Sequence, residues 1–133
     1  MSEFLRVTAR TMVAKQDMRT KQYRILRASA ANECQVASFA AGGPDEIIGV
    51  LQNKPNNNEH AAVGFAGVSK VIAGAAVTAN RMVTTDGSGQ AIHAGSGEWL
   101  LGMAVTAAAA ASETISVLLG MPAQQAPSSL AAT

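Results

Sequence analysis

The stretch from Val68 to Ile92, VSKVIAGAAVTANRMVTTDGSGQAI, most constrains what this chain can become. Val68, Val71, Ile72, Val77, Met82, Val83 and Ile92 supply β-favouring apolar side chains, while Ala73-Gly74, Ala79-Asn80 and Asp86-Gly87-Ser88-Gly89 interrupt them too often for a helix. The stretch therefore reads as short strands joined by tight turns. Asp86-Gly87 is its sharpest signal, because the centre of a two-residue hairpin turn needs positive φ. Arg81 to Thr85 then enters the turn and Gln90 to His93 leaves it. A calcium loop at Asp86 lacks the further carboxylates it would need.

The same pattern extends both ways. Tyr23 to Leu26, Gln35 to Phe39, Glu46 to Leu51, Ala61 to Ala66, Trp99 to Val105 and Thr114 to Leu119 read as strands. Gly42-Gly43-Pro44 is a loop and Lys54-Pro55-Asn56-Asn57-Asn58 a polar turn. QVASFAAGGPDEIIGV, residues 35–50, resembles QAIHAGSGEWLLGM, residues 90–103, and Gly49 and Gly67 are spaced as are Gly102 and Gly120. One β unit is thus expected twice, over 35–67 and 90–120, in a closed or nearly closed barrel with pseudo-symmetry. The repeat places Ala107 to Ala111 where the Asn-rich turn lies, so the run reads as a hairpin connection, with one helical turn as the alternative.

Bulk properties agree with a single small domain. The 133 residues are 48% hydrophobic but only 4% aromatic, so Ala dilutes the core and burial against other subunits is expected to contribute stability. No apolar run approaches a membrane span and no leader pattern precedes residue 14, so a soluble, unsecreted protein without membrane contact is expected. The lone Cys34 cannot form an internal disulfide and reads as structural.

The net charge of +1 conceals an asymmetry. Residues 1–27 hold seven cations against Glu3 and Asp17, a net of +5, and the remainder carries −4. Residues 1–22 contain no Gly or Pro, and their β-branched residues with scattered apolar positions favour an extended basic arm over a helix. Such an arm could reach about 65 Å from the body at 23–120. The tail, 121–133, is rich in Pro, Ser, Gln and Ala and is expected to be flexible.

A search for chemistry finds no catalytic set. Cys34 with His60 or His93 lacks an orienting third group, and two histidines without spaced carboxylates make a poor metal site. Gly95-Ser96-Gly97 precedes a strand, not a phosphate-cradling helix, and Glu46 and Glu98 each lead into a strand as solvated charges. No enzyme activity, cofactor or metal is therefore expected. Nucleic-acid binding by the arm is the weakest reading, since its charges are spread and the body is acidic.

GVLQNKP, then GVSKVIAGAAVTANRMVTTDGSGQAI, then LLGMAVTAAAAASETISVLLG, within residues 35–120, resemble the capsid decoration or cement proteins of tailed bacteriophages. The resemblance implies a mainly β, barrel-like or β-clip-like body with an extended N-terminal arm. It also implies a place in the virion, on the capsid exterior after synthesis in the host cytoplasm. The partner would be the major capsid protein, and the oligomer a trimer in preference to a dimer. The arm would staple shell subunits, with Arg6, Arg10, Arg19 and Lys21 as charge contacts and Phe4, Leu5 and Val7 as apolar anchors. The alternative is a β-clip domain that binds carbohydrate or accompanies an enzyme, although one Trp and one Tyr offer little platform.

Overall fold

The computed structural model describes residues 7–37, 47–94 and 100–119. Among them there are nine strands and no helix: β1 (Val7–Ala14), β2 (Ile25–Ala30), β3 (Glu33–Val36), β4 (Ile47–Leu51), β5 (His60–Ile72), β6 (Met82–Thr85), β7 (Ala91–His93), β8 (Gly102–Ala104) and β9 (Thr114–Leu119). The body is the expected β-barrel.

Five strands close a ring in the order β1-β3-β2-β4-β5, because β1 pairs parallel with β3 at one flank and antiparallel with β5 at the other. Closure removes most free edges. The ring interior holds Met12, Ala14, Met18, Leu26, Cys34, Val36, Leu51, Ala61 and Val63. Alternation along the strands builds this core: in β5, Ala61 and Val63 are buried while His60 is exposed and Ala62 half-buried.

The later strands retrace that circuit. β5 is thirteen residues long, and its second half pairs with β9, followed by β8, β6 and β7. A parallel bridge from Ala73 to Ala91 returns β7 to the end of β5. The second half of β5 thus stands in the second circuit where β1 stands in the first. The hydrogen bonds agree in detail. Ala14 N donates to Glu59 O at 2.9 Å and Ala73 N to Glu113 O at 2.8 Å. Tyr23 N donates to Leu51 O at 2.8 Å, and Asn80 N to Ala104 O at 2.7 Å. Positive φ falls at matched positions too, Tyr23 (68°) with Asn80 (69°) and Asn58 (68°) with Ser112 (74°).

Gly49 and Gly102 occupy equivalent places. The neighbours of these glycines pair as Val50↔Gly64 in one circuit and Met103↔Leu118 in the other. A Cβ would sit 2.3 Å from Gly64 O on Gly49 and 1.9 Å from Leu118 O on Gly102, so each strand can approach the next only without a side chain. The windows 35–67 and 90–120 fall inside the two circuits, but the structural match is wider. Its register also sets Gln35, partner of Arg27, against Ile92, partner of Thr84, not against Gln90.

Several local expectations shift. β2 begins at Ile25, two residues after the expected Tyr23, because Tyr23 takes positive φ. The Asp86-Gly87 turn is longer than a two-residue hairpin: Asp86 N donates to Gln90 O, the Asp86 carboxylate accepts Ser88 N and Gln90 N, and the positive φ falls at Gly89 (75°). This loop then docks on the first ring, where Ile25 N donates to Gly89 O at 2.7 Å and Arg24 Nη1 to Ser88 O at 2.8 Å. The alanine run is non-helical, with Ala108 buried and bridged to Val77. Among the described residues no aromatic side chain is part of the buried core, and Ala supplies many of its members.

The N-terminal segment is extended, but over 7–22 it is part of the body. β1 runs along β5 from Val7↔Gly67 to Val13↔His60, and Met12, Ala14 and Met18 are buried. A free reach of some 65 Å therefore does not apply to these residues, since their apolar side chains gain more in the ring than in water. The expected tail, 121–133, lies outside the described residues, as do Gly42 to Pro44, Gly95 to Gly97, Glu46 and Glu98.

Candidate functional site

The candidate surface begins with charge. Described residues of the first ring carry Arg10, Lys15, Arg19, Lys21, Arg24, Arg27 and Lys54 against Asp17, Glu33 and Glu59, a net of +4. Those of the second circuit carry Lys70 and Arg81 against Asp86 and Glu113, a net of zero. The cationic character of the N-terminal sequence is thus a property of one ring.

Of the anchors named from sequence, Phe4, Leu5 and Arg6 lie outside the described residues. Val7 is half-buried and packs against the core of the second circuit. Arg10 is exposed, with Nη2 at 3.4 Å from Asn32 Oδ1. Arg19 is exposed but engaged: its Nε and Nη2 donate to the two Asp17 carboxylate oxygens at 2.9 and 2.8 Å. That fork, with the Arg19 N–H also donating to Asp17, holds the Asp17 carboxyl down at about 2. Lys21 is half-buried, and its N–H donates to Met18 O in the turn after β1. Val7 and Arg10 share β1, whereas Arg19 and Lys21 belong to the following turn, so the described residues do not form a single cluster.

Phe65 is the feature that sequence reading missed. It is 45% exposed. It follows Gly64, the partner of Val50, so Gly49 lies beside it, and it is itself the extra residue of a β-bulge, since Thr8 pairs with Ala66 and Ala9 with Gly64. With a glycine on one side and no residue of β1 opposite it on the other, the ring is left uncovered. Its sequence signal was an aromatic in an Ala/Gly-rich strand.

The residues considered for chemistry are kept apart by burial and pairing. Cys34 is fully buried in the first ring, where burial pushes its thiol up to about 11. His60 is exposed, and His93 Nε2 accepts the Thr78 N–H at 2.8 Å. Among the described residues no group of three or more His, Cys, Asp or Glu is placed to hold a metal ion.

A closed small barrel with a second circuit of the same strand order defines a small β-barrel module. The phage cement protein family matches residues 15–119, and the chain belongs to that family. It is accordingly a structural protein of the phage head, associated with the capsid. Among solved structures, it resembles the N base of the head fiber protein gp8.5 of bacteriophage phi29. The identity is 20% and the TM-score 0.64, over 86% of this chain and 95% of that one, a likeness of fold. No curated protein matches the sequence.

Proposed function

We propose that the protein binds the outer surface of a bacteriophage capsid and stabilises the mature head by bridging major capsid protein subunits, without catalysis. The observation that carries this reading is the excess of cations among the described residues of the first ring, beside a second circuit of the same topology whose described residues carry no net charge. Two rings of different charge suit a molecule that grips a shell with one end. Bridging adds binding energy to the closed shell by mass action and multivalency, with no chemical step. Family membership and the head fiber likeness support the setting. The core's poverty in large side chains supports assembly as a homo-oligomer, a trimer by preference.

In this reading Arg10 and Lys21 meet the shell directly and Arg19 does so through its pair with Asp17. Phe4, Leu5 and Arg6 are proposed as further contacts, ahead of Val7. Truncation at Tyr23 would be a poor test, because it removes β1 and three core side chains. Deleting residues 1–6 leaves β1 whole.

The test mixes purified protein with undecorated heads and follows occupancy and the temperature of genome release. Saturable binding with a raised release temperature is expected, and weaker binding after deletion of residues 1–6. Absence of binding by the intact protein would sink the proposal.

A further inference from the structure

Each circuit carries a cap built from the same backbone bonds. In the first, the segment after β1, residues 15–22, meets the loop from β4 to β5, residues 52–59: Met18 N donates to Pro55 O at 2.9 Å and Asn58 N to Ala14 O at 2.7 Å. In the second, Val77 N donates to Ala108 O at 2.9 Å and Ser112 N to Ala73 O at 2.8 Å. Side chains repeat where the backbone needs them. Glu59 Oε1 accepts Asn56 N at 2.7 Å as Glu113 Oε1 accepts Ala109 N at 2.9 Å. Asn53 Oδ1 accepts Ala62 N at 3.0 Å as Thr106 Oγ1 accepts Ser116 N at 2.9 Å. Met18 and Val77 are both buried.

This bond-by-bond match separates the side chains that build a cap from those that do not. Lys15, whose N–H donates to Cys34 O, stands where Gly74 donates to Ala91 O. Arg19 follows Met18 as Thr78 follows Val77, and Lys54 precedes Pro55 as Ala107 precedes Ala108. Lys21 has no counterpart, since two more residues separate Met18 from Tyr23 than separate Val77 from Asn80. Residues 15–22 and 52–59 thus carry four cations against Asp17 and Glu59, a net of +2, whereas residues 74–80 and 105–113 carry Glu113 alone. The same bonds form without a single cation, so the four serve something other than the cap's own fold.

Their charge is largely unanswered. Arg19 is paired with Asp17, but among the described residues Lys15, Lys21 and Lys54 form no ion pair, and Lys15 Nζ donates to a neutral amide oxygen, Asn58 Oδ1, at 2.8 Å. Arg19 and Lys54 are exposed, and Lys15 and Lys21 half-buried. Positive charge that the fold does not use attracts a surface of opposite sign.

We propose that the first ring's cap, residues 15–22 with 52–59, is the face set against the shell, and that its partner there is a carboxylate-bearing surface of the major capsid protein. This rests on the capsid-binding reading and names the face and the chemistry within it. Lys15 and Lys54 join Arg19 and Lys21 as charge contacts, and the exposed amides of Asn57 and Asn58 add hydrogen-bond donors beside them. One exposed charge pair contributes little, so the grip comes from several acting together.

The experiment titrates undecorated heads with the intact protein and with a triple variant, Lys15→Ala, Arg19→Thr and Lys54→Ala, which gives this cap the uncharged character of its counterpart. Its thermal midpoint should stay near the parent's, because the second circuit makes the same bonds without these cations. The expected result is about tenfold weaker binding by the variant, and a steeper loss of affinity with added salt for the intact protein than for the variant. Binding by the variant within about twofold of the parent, or an equal salt dependence, would overturn this face and leave the capsid-binding reading standing. No binding by the intact protein removes both. Intact protein that binds bare DNA as tightly as it binds heads would assign the cations to nucleic acid and overturn the proposed partner. If the triple variant does not fold, Lys54→Glu, one change at an exposed position, decides: weaker binding supports the face and unchanged binding overturns it.

Discussion

The two circuits share a strand order, a set of backbone hydrogen bonds and two left-handed positions, yet they are finished differently. The first is sealed by a seven-pair ladder between β1 and β5, and its counterpart by the six pairs of β5 with β9 and the single bridge Ala73↔Ala91. Among the described residues the first carries a net positive charge and an exposed aromatic, Phe65, whereas the second carries no net charge and buries Leu119 at the equivalent position. Topology is set by backbone pairing and close approach, which many side chains satisfy, while surface character is free to differ. The comparison teaches that one barrel plan tolerates two surfaces of different character.

The most severe way to break the comparison is at its shared glycines. Gly102→Ala is expected to cost about 3 kcal/mol or more, with Gly49→Ala close behind, because each new Cβ collides with a carbonyl of the neighbouring strand. Urea denaturation of each variant measures this. A Gly102→Ala protein as stable as its parent would show that β8 can move away from β9.

A smaller effect sharpens it by copying one circuit's solution into the other. Asn58 and Ser112 both hold positive φ, but Asn tolerates that region better than Ser. Ser112→Asn is therefore expected to raise stability by about 0.5 kcal/mol, read as a higher thermal midpoint. No gain, or a loss, would mean that the exposed Ser112 pays no conformational penalty there.

The smallest expected effect concerns pH, and it distinguishes the first ring's surface. Asp17 is held at about 2 against an ordinary 3.8, first by the Arg19 side chain and then by its backbone N–H. A carboxyl depressed on folding contributes stability that is present above about pH 4 and lost as pH falls toward 2. Solvent and salt screen so exposed a pair, so the change in stability will be slight. An NMR titration should place the Asp17 midpoint near 2, returning toward the ordinary range in Arg19→Ala. An unshifted midpoint in the parent would refute the fork.

Much of this architecture was legible beforehand, for local reasons. β9 lies where Thr114 to Leu119 was read, and β6 and β7 differ from their expected bounds by one residue, because alternating apolar residues between turn formers leave a short strand few other options. The spacing of Gly49 and Gly102 was readable because a glycine forced by close approach tolerates little else. The full extent of the two circuits was hidden, since β5 serves as last strand of one and first strand of the other. Met12-Val13-Ala14 and Val71-Ile72-Ala73 match as apolar triplets only after pairing reveals them. The surface was harder: charge was visible as a run along the chain, but Phe65 looked like any strand aromatic, and what leaves it uncovered is Gly49, sixteen residues before it, and a bulge that forms at Phe65 only where β5 meets the distant β1.

By itself the amino-acid order determined an all-β chain, its turn positions, a core poor in aromatics and a cationic beginning, because these follow from local conformational preference and composition. Only the tertiary structure decided that residues 7–22 are body and not free arm, and that among the described residues no strand covers one flank of β1 from Val7 to Met12. Both depend on pairing between residues about fifty positions apart, as in Val7↔Gly67 and Val13↔His60, and ladder contacts over that distance leave no periodicity in the sequence.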